Sequence, residues 1–270
     1  MRFMAALPIV FMHVGSNFFG LPWLRAAFGY GYIGVSFFFV LSGFVLTWST
    51  AEMPARRFWW LRFARIWPAQ ALVAAVVFVM LEQSRPPGWL GGAADIVLVQ
   101  SWWPSQDVYF GGNGVSWSLS CEAFFYLMFP ALAVGLRRLS GRGLAAVTAA
   151  MFAVLAIAPA VGEWYGLPRQ LSYWLFFILP GYRLPEFLLG MVLARAVQFG
   201  VRMPRPGAGA VAGAVALVGL VSVLAWTSSS YGWYPGRPWV ALLVLPVFAS
   251  LVLTGATADL RGAGSSPPGL

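Results

Sequence analysis

The chain has no lysine, one histidine and one cysteine, and charged residues of every kind fill only 9% of its 270 positions. Each shortage excludes something. A lone cysteine, Cys121, leaves no intramolecular disulfide framework and no multi-cysteine zinc site. With one histidine beside it, a protein-built transition-metal centre is not expected, nor is a tightly bound cofactor. Soluble domains carry about 25% charged residues. This chain falls far below that, and 60% of it is hydrophobic. Its 17 basic residues are all arginine against 8 acidic ones, a net charge of +9. The arginines fall between apolar stretches, not along one solvated face. That distribution fits membrane topology and anionic lipid headgroups, and it argues against nucleic acid as a partner.

Apolar runs long enough to cross a bilayer need about 17–25 residues. They stand at about 3–20, 31–50, 66–82, 117–136, 143–161, 172–199, 207–226 and 238–256. Arg56, Arg57, Arg62 and Arg65 fall in the connection 51–65, and Arg137, Arg138 and Arg142 in the connection 137–142. Arg195, Arg202 and Arg205 mark a third basic boundary. Placing all three inside, with Arg2, requires an even number of spans between them. Residues 83–116, which include Asp95, are then an external loop that dips back into the membrane. Eight spans with both termini cytoplasmic result, in an all-α polytopic bundle. The run 172–199 is too long for one straight helix, and LPGYRLPE predicts a kink or break in it. No removable signal peptide is expected. Residues 1–257 read as one integral domain, and the Gly/Pro/Ser-rich stretch 258–270 as a disordered tail.

Polar residues inside such runs are functional candidates by default. His13 lies within the first, eleven residues after Arg2. That spacing puts both on one helix face, roughly 16 Å apart along the axis. Glu122 lies near the start of the fourth run and shares a face with Ser118 by i, i+4 spacing. Its carboxylate needs a partner: the histidine, whose tautomer and basicity it would then set, or an arginine such as Arg183. Arg62 and Arg65, three apart, suit a phosphate as well as they suit a membrane anchor flanked by Trp59, Trp60 and Trp67. Ser42 and the small residues of GYIGVSFFFVLSGFVL allow close helix packing or line a cavity. Arg183 and Glu186, three apart, either neutralise one another or line the same cavity.

These motifs, in this order, resemble acyltransferase family 3, integral membrane proteins that O-acylate cell-surface polysaccharides and related acceptors. RFMAALPIVFMH is similar to the family's arginine–ten residues–histidine signature, through Arg2 and His13. YIGVSFFFVLSGFVL, LRFARIWP, NGVSWSLSCEAFFYLMFP and RLPEFLLGM are similar to later motifs, so the likeness runs over residues 2–191. The resemblance implies a bacterial inner-membrane enzyme that transfers an acyl group, acetyl by preference. The donor would be an acyl-coenzyme A or similar cytoplasmic compound, and the acceptor a hydroxyl of a carbohydrate or glycolipid. Arg2, Arg62 and Arg65 would hold the donor's phosphates. His13 would act as general base or transient acyl carrier, with Glu122 orienting it, and Ser42, Ser118, Arg183 and Glu186 would line the cavity. The family's usual ten or so helices and its late serine–tyrosine–leucine–histidine motif are not found, so a carboxy-terminal truncation is expected. Two other readings use the same residues: a catalytically dead truncated paralogue, and a proton-coupled glycolipid transporter. Neither the acceptor nor the oligomeric state is specified by the sequence.

Overall fold

The computed structural model describes the backbone of residues 9–12, 22–50, 53–81, 89–231 and 236–262. Among them every regular element is helical and none is a strand. Lipid offers no partner for N–H or C=O groups, so an apolar chain that crosses it must satisfy them within the helix. In chain order the helices are α1 (Pro22–Gly29), α2 (Ile33–Thr50), α3 (Ala55–Leu81), α4 (Trp89–Ile96), α5 (Gln106–Tyr109), α6 (Trp117–Arg137), α7 (Gly141–Trp164), α8 (Arg169–Tyr173), α9 (Pro180–Gln198), α10 (Pro206–Tyr231) and α11 (Arg237–Gly262).

Six stretches are long and apolar enough to cross a membrane: Ala26–Thr50, Trp117–Arg137, Gly141–Trp164, Arg169–Gln198, Pro206–Thr227 and Arg237–Gly262. They coincide with six of the eight runs read from the sequence. The run 66–82 is the later part of α3, whose first half carries the four arginines. The first run, with Arg2 and His13, lies outside the described residues apart from 9–12. Val211, Val215 and Val218 on α10 are about two-thirds exposed. An apolar stripe of that kind faces hydrocarbon, not water. The chain is an all-α membrane protein.

The predicted break in the run 172–199 occurs at Leu179. Trp174–Ile178 form a π-helical turn, Leu179 is extended (φ −60°, ψ 121°), and α9 starts at Pro180. A residue before proline is driven out of the α region by the ring, which explains the position. The carbonyl of Ile178 accepts a bond from the Cys121 thiol at 3.4 Å.

The helices fall into two compact units. One draws on Met1–Trp48, Leu139–Ala156 and Glu186–Leu270. Within it α10 packs along α11 and against α1. Helices α2 and α9 meet at glycine: a Cβ on Gly43 would lie 1.9 Å from the Phe187 carbonyl oxygen, and one on Gly190 1.9 Å from that of Val40. Backbone touches backbone there, as the small residues of the second span suggested. Helix α11 continues to Gly262, five residues past the boundary read at 257. Thr257 accepts the Met203 N–H at 3.1 Å, and Arg261 donates to the Pro204 carbonyl at 3.0 Å, so tertiary bonds hold this last turn. Residues 263–270 lie outside the described residues.

The other unit draws on Ser49–Arg138 and Ile157–Pro185. Residues 89–109 form three short helical pieces, none able to span a bilayer. They dock midway along α3 and not at its end: Trp67 donates its indole N–H to the Ile96 carbonyl at 3.1 Å, and Gln70 bonds Asp95. That is the geometry of a segment folded back along the side of α3.

Candidate active site

Glu122 is half-buried on the second turn of α6. Tyr126, one turn on, donates its hydroxyl to Glu122 Oε2 at 2.7 Å. The i, i+4 spacing brings the two together on one face. Tyr126 is held in turn from α3. Its carbonyl accepts the Trp59 indole N–H at 3.0 Å, and its ring meets Phe58 edge-on at 6.3 Å. Phe58, 1% exposed, also stacks on Phe129 at 4.7 Å. The Arg62 guanidinium lies over the Phe58 ring, 5.5 Å from its centre. Contacts therefore run from Arg62 through Phe58 and Tyr126 to Glu122. A buried aromatic under a guanidinium is worth about 0.5–2 kcal/mol and fixes the direction of the charge.

Two ties set the heights of these groups. Phe58 and Trp59 meet Tyr126 at one level, while Gln70 and Ser116 both bond Asp95 at another. Helices α3 and α6 are thus antiparallel. Arg62, one turn from Phe58, stands near the height of Glu122, and Arg65 one turn nearer the second tie. From Glu122 to Arg137 is fifteen residues, about 22 Å of helix. The two arginines accordingly lie on the helix beside the carboxylate, not in a loop at the inner boundary.

The other candidates are placed as follows. Ser118 is half-buried and donates to the Val115 carbonyl at 3.3 Å. Arg183 is 1% exposed with its guanidinium 5.3 Å from the Phe177 ring centre; Trp117 and Tyr173 pack on that ring at 5.0 and 5.2 Å. In the first unit Glu186 is fully buried and accepts a bond from Ser36 Oγ at 3.4 Å, while Ser42 is buried on the same helix as Ser36. His13 and Arg2 lie outside the described residues. No group of three histidine, cysteine or acidic side chains able to hold a metal occurs among the described residues.

The sequence reading passed over Tyr126 and Asp95. Tyr126 had a signal, its i, i+4 spacing from Glu122. Asp95 figures there only as part of the external segment 83–116, yet it is 1% exposed and gathers donors from Gln70, Gln100, Asn113 and Ser116. Its partners are neutral amides and a hydroxyl, which leave no charge pattern to follow.

The family model described as an acyltransferase domain matches residues 1–263. Acyltransferase MdmB of Streptomyces mycarofaciens is 34% identical over 293 aligned residues, covering 97% of this chain and 70% of MdmB. O-acetyltransferase OatA of Staphylococcus aureus is 30% identical over 148 residues, 48% of this chain and 23% of OatA. Peptidoglycan O-acetyltransferase OatA of Listeria monocytogenes is 31% identical over 150 residues, again 48% of this chain and 23% of that protein. No solved structure matches significantly. A match along nearly the whole chain, over a helical membrane protein, leaves one assignment: the chain belongs to acyltransferase family 3 and is an acyl-transferring enzyme.

Proposed function

We propose that this enzyme is an O-acyltransferase of the bacterial inner membrane, with cytoplasmic termini. It takes an acyl group, acetyl by preference, from a cytoplasmic acyl-coenzyme A-type donor and passes it to a hydroxyl of a carbohydrate or glycolipid. The observation that carries the reading is the alignment with MdmB along 97% of the chain. The OatA relatives, named for O-acetyl transfer and in Listeria for peptidoglycan, support the hydroxyl acceptor, the carbohydrate class and the acetyl group. His13 removes the acceptor's proton, and Glu122 is the carboxylate that keeps that base in its working tautomer. Both roles rest on the family resemblance. The Glu122–Tyr126 bond supports the second, because it fixes the carboxylate's rotamer.

Arg62, Arg65 and Arg2 bind the donor's phosphates in this reading. Guanidinium forks match phosphate oxygens, and such charge-assisted bonds are worth about 1.5–3 kcal/mol each. Arg62→Ala and Arg65→Ala should therefore each raise the KM for acetyl-coenzyme A by roughly 10-fold or more. Against acetyl-pantetheine, which lacks the nucleotide phosphates, wild type and variants should differ little. An equal loss with both donors would contradict the phosphate role and move Arg62 to the reacting group, a position its height beside Glu122 allows.

A further inference from the structure

Asp95 is the convergence point of the second unit. Its Oδ1 accepts from Gln70 Nε2 on α3 at 3.0 Å, from Gln100 Nε2 at 2.9 Å and from the Ser116 hydroxyl; its Oδ2 accepts the Asn113 N–H at 3.0 Å. The approach is close enough to need glycine beside it: a Cβ on Gly112 would lie 2.4 Å from Asp95 Oδ2. A buried carboxylate is costly unless its lone pairs are filled. Here only an acceptor with two oxygens fits, since every neighbour presents a donor.

Ser116 gives the network its consequence. It is the residue before the first turn of α6, where a serine hydroxyl ordinarily accepts a bond from the helix's own N–H groups. It makes no such bond. Its hydroxyl is engaged instead with Asp95 and, at 2.6 Å, with the Asn113 carbonyl, while also accepting from Gln100 Nε2 at 3.1 Å. The start of α6 is thus tied outward, to α3 through Asp95 and Gln70. Phe58 and Tyr126 join the same two helices at the other level. Arg62 and Glu122 lie between the ties, and from Ser116 to Glu122 is about 9 Å of unbroken helix.

We propose that Asp95 is a positioning residue for acyl transfer: by coupling Gln70 on α3 to Ser116 on α6, it sets the register of the helix bearing Arg62 against the helix bearing Ser118 and Glu122. The proposal rests on Glu122 being part of the reacting site. Asp95→Asn keeps the shape but turns an N–H2 toward a donor, so it breaks at least one tie. A slip of about 1 Å in a positioned group costs up to 10²-fold in rate.

The test is kcat per folded molecule and donor KM in reconstituted full-length enzyme, with melting temperature in detergent recorded alongside. Asp95→Asn should lower kcat by about 10-fold or more while donor KM moves by less than about threefold. Ser116→Ala, which removes the Asp95 link to α6 together with the hydroxyl's bonds to Asn113 and Gln100, should lower kcat in the same sense; it decides the matter if Asp95→Asn does not accumulate. Unchanged kcat in these variants, or a loss explained wholly by less folded protein, overturns the proposal. Glu122→Gln is run beside them. If it retains full activity, the site reading itself fails; if it is inactive while Asp95→Asn is not, only the positioning role fails.

Discussion

His13→Ala is expected to lower the acyl-transfer rate by about 10²–10⁴-fold, the usual contribution of a positioned base, with membrane insertion and protein level unchanged. That factor corresponds to about 3–5 kcal/mol of transition-state stabilisation. The magnitude follows from the absence of another nitrogen base. His13 is the only histidine, lysine is absent, and the 17 arginines do not give up a proton in this range. An acceptor hydroxyl attacks poorly until its proton is taken, so the loss should fall on kcat more than on donor KM. His13→Gln keeps hydrogen-bonding capacity without basicity and should be nearly as inactive. Label transfer from acyl-coenzyme A in membranes with equal amounts of enzyme makes the comparison. Near-normal turnover in either variant would remove His13 from the chemistry.

Gly190→Ala should have the largest effect on folding. A methyl group at 190 would sit 1.9 Å from the Val40 carbonyl oxygen and 2.7 Å from the Phe44 nitrogen, while the facing Gly43 already touches the Phe187 and Met191 backbone. These are main-chain atoms inside helices, so no rotamer change relieves the overlap; α2 and α9 have to separate. Overpacking of this kind costs about 1–3 kcal/mol where the surroundings yield, and more where they do not. Against a total stability of roughly 5–15 kcal/mol, the variant should accumulate poorly and melt at lower temperature in detergent. Gly219→Ala on α10 is the control, because nothing lies within 4 Å of its added Cβ. Helix propensity alone favours alanine over glycine by about 1 kcal/mol. Equal melting temperatures for the two variants would contradict the close crossing.

The architecture was legible in the sequence wherever it depends on run length. Six of the predicted apolar runs are helical stretches long enough to cross a membrane, and the break at Leu179–Pro180 falls within the segment flagged for its prolines. Gly43 was legible as a close-packing residue. The Asp95 network was not, because it depends on residues 89–116 folding back to the middle of α3. No periodicity in Gln70, Asp95, Gln100 and Ser116 announces that they meet. The height of Arg62 was likewise hidden: four arginines within ten residues suggested a boundary, whereas α3 starts at Ala55 and carries Arg62 along the helix to the height of Glu122. The end of α11 was misjudged because Gly, Ala and Ser composition suggested disorder, while Thr257 and Arg261 hold that turn through bonds to residues more than fifty positions away.

The most direct test of the account is transfer of label itself. Membranes containing the chain would be incubated with radiolabelled acetyl-coenzyme A and fractionated into polysaccharide, lipid and protein. The account predicts alkali-labile label, the signature of an O-ester, in the carbohydrate or lipid fraction, dependent on His13. No label above control membranes from a well-inserted enzyme, or label that survives His13→Ala undiminished, would contradict it.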